Sequence, residues 1–219
     1  MTPNVTRSLK VGAGLMVAFA LLLVVGTSVS DTGAPDAAAE TFVRTTAEAV
    51  LQRLRANAAT IIAKPALADS IAAEIVLPHF DFDLMSNRAL GHFTRELTAE
   101  QRMRFVNEFK NLLLHTYARS LIDYRESVIT FLSTRPVGPT GYRVRTEVTR
   151  PIGNKKLGID YEVRAQPGGG WKVGDVTLNG VSLLISYRAG FARDIPVIGI
   201  ENVIAQLATK NAELARAEK

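Results

Sequence analysis

At Ser127 the spacing of apolar residues along this chain changes, and after Asn179-Gly180 it changes back. Before Ser127 they recur every three to four residues, the period of a helix. From Val128 to Val173 they recur every second residue, the period of a strand. A chain that is helical, then alternating, then helical again fits neither an all-helical bundle nor a β-sandwich. It predicts an α+β domain, an antiparallel sheet of about four strands with helices packed on one face.

The alternating region is explicit. Tyr142, Val144, Thr146 and Val148 share one side of a segment, opposite Arg143, Arg145 and Glu147. Leu157, Ile159, Tyr161 and Val163 do the same in the next, opposite Lys156, Asp160, Glu162 and Arg164. Val128, Thr130 and Leu132 alternate in an earlier strand, and Gly168-Gly169-Gly170 turns the chain into a fourth carrying Trp171 and Val173. Such alternation means one covered face and one wet face, as in an antiparallel meander.

Upstream, Asp31–Glu40 is small and polar and is expected to be a disordered lead-in. Phe42, Val43, Ala47, Val50, Leu51 and Leu54 then keep a helical stripe until Pro65 interrupts it. Leu67, Ile71 and Ile75 restart it, and Pro78 closes it. Asp83 is placed to cap a short helix over Leu84–Leu90, with Gly91 to end it. Thr98-Ala99-Glu100-Gln101 has the capping-box pattern. It predicts a helix of about 25 residues, long for a globular protein, with Phe105, Phe109, Leu112, Leu113, Thr116, Tyr117, Leu121 and Tyr124 on its inner face. Downstream, Leu184, Tyr187, Phe191 and Ile195 form another helical stripe. Pro196 and Gly199 break it, and a last helix over Ile200–Ala215 becomes polar and frayed.

The first thirty residues have a separate purpose. Arg7 and Lys10 precede the apolar run Val11–Val25, and Ser28 and Ser30 supply small residues before Asp31. This is the pattern of a secretory signal peptide cleaved near residue 30, with a second possible site after Ala39. An uncleaved membrane anchor is the alternative, since about 20 apolar residues can span a bilayer. Residues 41–215 are then expected to form a single domain. The chain has no cysteine, so neither disulfides nor a lipidated N-terminal Cys is available, which suits a bacterial periplasm. Losing Arg7 and Lys10 reduces the formal charge from +5 to +3. With no dense Lys/Arg cluster, a nucleic-acid partner is not expected.

The polar residues do not assemble a catalyst. His79-Phe80-Asp81-Phe82-Asp83 could present metal ligands from an extended chain. A turn whose phenylalanines pin it to the core, with Asp83 capping the next helix, accounts for it better. His92 and His115 stand alone in the sequence, and Gly180-Val181-Ser182-Leu183-Leu184 lacks the second glycine of a nucleophile elbow. No phosphate-binding loop is present. The chain is therefore expected not to be an enzyme and to need neither cofactor nor metal. What remains is a large set of aromatic and aliphatic positions, including Tyr142 and Trp171, which either fill a solid core or leave an apolar cavity between helix and sheet.

Two motif blocks resemble the toluene-tolerance family. One runs from Leu77-Pro78-His79-Phe80-Asp81-Phe82-Asp83-Leu84-Met85-Ser86 through Ala89-Leu90-Gly91, Gln101, Phe105, Phe109 and Leu113 to Thr116-Tyr117-Ala118. The other holds Gly170-Trp171-Lys172-Val173-Gly174-Asp175-Val176, Gly180-Val181-Ser182-Leu183 and Tyr187-Arg188 with Phe191. Gly174 departs from the pattern, since the family usually carries a larger residue there, often Tyr. The resemblance covers about residues 40–210 and implies a periplasmic phospholipid-binding protein of the maintenance-of-lipid-asymmetry pathway. Its cargo would be phospholipid. Its partners would be an outer-membrane lipoprotein complex and an inner-membrane ABC transporter with its substrate-binding ring. A cavity between helices and sheet would hold the acyl tails, lined or backed by Phe105, Phe109, Leu113, Tyr117, Val144, Val148, Tyr161, Val163, Tyr187 and Phe191. Two alternatives stand beside this reading: an envelope adaptor with a solid core, and a carrier of another lipid such as a hopanoid.

Overall fold

The computed structural model describes residues 35–216. The expected signal segment, its cleavage point, the alternative anchor and residues 31–34 of the lead-in lie outside them. No helix among the described residues is long and apolar enough to cross a membrane. Helices come first: α1 (Pro35–Ala56), α2 (Ala58–Ala63), α3 (Leu67–Ile71), α4 (Phe82–Leu90), α5 (Ala99–Tyr117) and α6 (Ser120–Asp123). Strands β1 (Val128–Val137), β2 (Gly141–Thr149), β3 (Lys156–Ala165), β4 (Trp171–Leu178) and β5 (Val181–Ser182) follow, and α7 (Leu183–Arg216) closes the chain. The strands make one antiparallel meander in chain order, with the short fifth strand added to the four expected.

Register decides which side chains face inward. Val148 stands between Ile129 and Leu157, Thr146 between Phe131 and Ile159, and Val144 between Thr134 and Tyr161. The stripes read from β2 and β3 are therefore the covered ones. In β1 the alternating set Val128, Thr130 and Leu132 turns out to solvent instead. Both parities of this edge strand carry apolar residues, so pairing with β2, and not composition, selects Ile129 and Phe131.

The lead-in is a correction. α1 begins at Pro35, a residue suited to a first helical position. Ala39 is fully buried against the sheet, and Glu40 takes hydrogen bonds from Arg44 at 2.7 Å and Thr134 at 3.1 Å. Residues 35–40 are thus ordered helix, because a methyl-sized side chain lets α1 approach the strands.

The cap of α4 also moves. Asp81 N–H donates to Val173 O at 2.9 Å, fixing the chain on β4 just before the helix. Asp81 Oδ1 then accepts from Leu84 N at 3.0 Å, so Asp81, not Asp83, is the N-cap. Asp83 lies in the first turn, where its charge suits the helix dipole. Gly91 ends α4, as expected, with a positive φ of 63°.

The capping box opens α5 with both hydrogen bonds in place, Gln101 N to Thr98 Oγ1 and Thr98 N to Gln101 Oε1. The helix stops at Tyr117, shorter than expected. Beyond it Leu121 and Ile122 bond back to the carbonyls three residues earlier, and this tighter turn bends the chain into α6. In α7, Pro196 stays helical and the break falls at Gly199, whose φ of 79° takes it out of helical conformation. The last helix is not frayed over its described length. Buried Asn211 donates to Glu108 O at 2.9 Å and Glu108 Oε2 at 2.7 Å, pinning it to α5.

Three apolar clusters result. The first unites α4, α5 and α7 around Phe105, Phe109 and Phe191, whose rings meet at 5.1–5.9 Å. The second joins α1 to the sheet through Val43, Val144, Val163, Val173 and Val176. The third joins α1, α2 and α3 through Val50, Leu54, Ile61 and Ile71.

Candidate functional site

Where the three clusters meet they do not fill the space. A cavity of about 300 Å³ remains, within the size range of ligand pockets. Its floor is the covered face of the sheet: Ile129, Val148 and Leu157 in one ladder row, Ile159 and Leu178 in the next, Tyr161 and Val176 beyond them. Its roof is α1, with Phe42, Ala47, Val50 and Leu51, and the widened π turn that continues α3 over Ala72–Val76. Leu113, Leu114 and Tyr117 from the end of α5 form one side, and Phe80 and Phe82 another. Leu121 and Tyr124 follow the bend after Tyr117, so ending the long helix early is what brings α6 to the rim. Among the described lining residues only Ser120 is exposed, which marks the mouth.

Among the described residues, no lysine, arginine, histidine, aspartate or glutamate lines this space. Its polar groups are the hydroxyls of Thr46, Ser120, Tyr117, Tyr124 and Tyr161. Burial pushes the Tyr161 phenol up to about 12, so it stays neutral across the physiological range. Behind Tyr117 lies Tyr187, whose phenol is raised first by burial and then by its interaction with Tyr117. At the rim, the Arg150 guanidinium sits 5.5 Å above the Tyr124 ring. Such a wall can exclude water and bury hydrocarbon. It offers nothing that would activate a nucleophile.

The other polar clusters have structural partners. His79 packs edge-on against Phe42, and Phe80 stacks with Phe82 at 5.9 Å. Ser182 Oγ donates to Asp175 Oδ2 at 2.6 Å and accepts from Ile185 N at 3.2 Å, which makes it the cap of α7. His115 Nδ1 lies 2.9 Å from Asp69 Oδ2. No group of three or more His, Cys, Asp or Glu placed to hold a metal occurs among the described residues. A shallower dish of about 410 Å³, lined by Asp83, Ala99, Arg102, Met103 and Val106, lies elsewhere, between the starts of α4 and α5.

The sequence pattern of the MlaC protein family matches residues 44–209. The chain belongs to the MlaC family. A family relative from Haemophilus influenzae, described as the intermembrane phospholipid transport system binding protein MlaC, is 24% identical over 163 residues, 74% of this chain and 76% of its own length. The toluene tolerance protein ttg2D of Pseudomonas putida is 29% identical over 182 residues, covering 81% of this chain and 78% of its own. Among solved structures, a phospholipid-binding protein from Ralstonia solanacearum in complex with a phospholipid superposes with a TM-score of 0.73. It is 27% identical, and the match covers 81% of this chain and 98% of that one.

Of the ten residues singled out from sequence, Leu113, Tyr117, Val148 and Tyr161 line the cavity of this MlaC-family fold. Val144 and Val163 lie in the sheet core beside it, while Phe105, Phe109 and Phe191, with Tyr187 packed against them, belong to the solid helical cluster. The lining contributed by α1, the π turn, Phe80 and Phe82 was not singled out. Its apolar stripes were visible, but a stripe facing a void has the same composition as one facing a core.

Gly174, where the chain departs from the family pattern, also has a local reason. It is the extra residue of a β-bulge, between Asp175 paired with Glu162 and Val173 paired with Val163. A Cβ there would lie 2.9 Å from Leu84 Cδ2. The missing side chain lets α4 lie close across β4.

Proposed function

We propose that this chain is a periplasmic phospholipid carrier whose cavity holds acyl tails while the headgroup stays at the mouth. The observation that carries this reading is the uncharged wall, bounded by sheet, α1 and the end of α5. Membership of the MlaC family and the phospholipid bound by the Ralstonia relative support it. Moving a phospholipid through water exposes two tails of about 15 methylenes each, at a cost on the order of 24 kcal/mol. A carrier must recover most of that by burial and must still let go. An apolar lining without fixed charges suits both demands, because it grips in proportion to area and has no polar lock to break. The same wall disfavours the solid-core adaptor.

The shuttle runs between an outer-membrane lipoprotein complex and an inner-membrane ABC transporter with its substrate-binding ring. This chain supplies the water-crossing step.

Native mass spectrometry of the purified protein with lipid extraction tests the reading. Phospholipid should co-purify, and Val148→Trp or Leu113→Trp, which fill the cavity, should reduce loading several-fold in protein that remains folded. Absence of bound lipid together with no uptake from labelled vesicles would sink it. Extraction of a hopanoid instead would keep the carrier and replace the cargo.

A further inference from the structure

The turn between β2 and β3 has features that lipid storage does not require. Ile152 at its apex is 84% exposed, the most exposed large apolar side chain among the described residues. Gly153 and Asn154, both with positive φ, reverse the chain beneath it. From Thr149 to Leu157 the sequence carries Arg150, Lys155 and Lys156 and no acid. Lys156 is paired with Glu147 at 2.9 Å, but Arg150 and Lys155 make no ion pair among the described residues.

This turn stands at the end of the sheet where the cavity opens. Val148 and Leu157, which flank it on the two strands, both line the cavity. Arg150 covers Tyr124 on the rim. The Asn179-Gly180 hairpin lies against the same end of β3, bonded through Asn179 N to Gly158 O and Gly158 N to Asn179 Oδ1. It presents Val181, 59% exposed and paired with the lining residue Leu178. The carboxylates nearby are largely engaged: Glu126 with Arg55 and Arg125, Glu147 with Lys156, Asp160 with Arg145. On α6, Asp123 shares its short stretch with Arg119 and Arg125.

We propose that the turn around Ile152, with Arg150 and Lys155, docks the cavity mouth directly onto an anionic phospholipid bilayer. The two cations complement lipid phosphates, and Ile152 and Val181 enter the headgroup layer. A tail could then pass from bilayer to cavity with little exposure to water. This rests on the carrier reading for its purpose, but not for its test.

Flotation with phosphatidylcholine vesicles, with and without phosphatidylglycerol, provides that test. Wild-type protein should float with the anionic vesicles and only weakly with the neutral ones. Ile152→Asp and Lys155→Glu should each lower the floated fraction about fivefold, with co-purified phospholipid unchanged. Flotation that ignores phosphatidylglycerol, or that both variants retain in full, overturns the proposal. Salt-sensitive flotation by a protein that holds no lipid and takes none up from labelled vesicles would overturn the carrier reading and leave the docking surface standing.

Discussion

Arg88 Nη2 donates to Glu162 Oε1 at 2.6 Å, tying α4 to the middle strand of the sheet. The same guanidinium reaches Gly174 O at 3.2 Å on the strand between. Burial alone would raise the Glu162 carboxyl, but Arg88, seconded by Arg164, outweighs it and holds the group below its usual range. A lowered folded-state value stabilises the protein above the unfolded carboxylate pKa, and that contribution is lost as pH falls through the folded value. Arg88→Ala is expected to cost about 2 kcal/mol at neutral pH. The gap to wild type should shrink as pH drops below about 4. Urea denaturation across a pH series measures it, and a gap independent of pH would assign the loss to packing.

Gly174→Ala should destabilise by about 1–2 kcal/mol, because its methyl meets Leu84 Cδ2. The clashing atom is the far end of the Leu84 side chain, so relief by a rotamer change would put the cost at the low end of that range. In the double variant with Leu84→Ala the alanine at 174 should cost less than it does alone. Additive losses in that cycle would place the strain elsewhere.

Core and cavity separate by mutation. Phe105 is fully buried in the helical cluster, so Phe105→Ala should cost about 3–5 kcal/mol. Lipid content per folded molecule should stay the same. Ala47→Trp, on the cavity side of α1, should do the reverse: a modest change in denaturation midpoint and a marked drop in extracted lipid. Equal loading in both variants would move the binding site off α1.

Ser182→Ala removes a helix cap and leaves Asp175 Oδ2 without its hydroxyl partner. A loss of about 1–2 kcal/mol in thermal or chemical denaturation is expected. A stability equal to wild type would show that the cap contributes nothing.

The sheet was legible because period-2 alternation in Tyr142–Val148 and Leu157–Val163 is a local property that the ladder preserves. The capping box at Thr98 and Gln101 and the stop at Gly91 were legible for the same reason. Other features depended on partners far away in sequence. Val173 O selects Asp81 over Asp83 as the cap, and β2 selects Ile129 and Phe131 over Val128 and Leu132. Ala39 is helical because the sheet lies beside it, though its own neighbourhood is small and polar. The candidate site was half legible. Sequence named Val148 and Tyr161 of the floor and Leu113 and Tyr117 at the end of α5, but a void is defined by what does not touch, and no residue spells that out.

The neutral wall of the cavity also bears on the periplasmic setting proposed above. Between two membranes, acidity and ionic strength follow the outside world more closely than they do in a cytoplasm. With no carboxylate, amine, guanidinium or imidazole among the described residues that line the space, and the Tyr161 phenol held at about 12, acidification has almost nothing there to titrate. A charged rim of the kind proposed above responds to salt by screening, whereas an uncharged wall offers salt no ion pair to screen. Whatever the cavity holds, the charge of its wall is insulated from the weather.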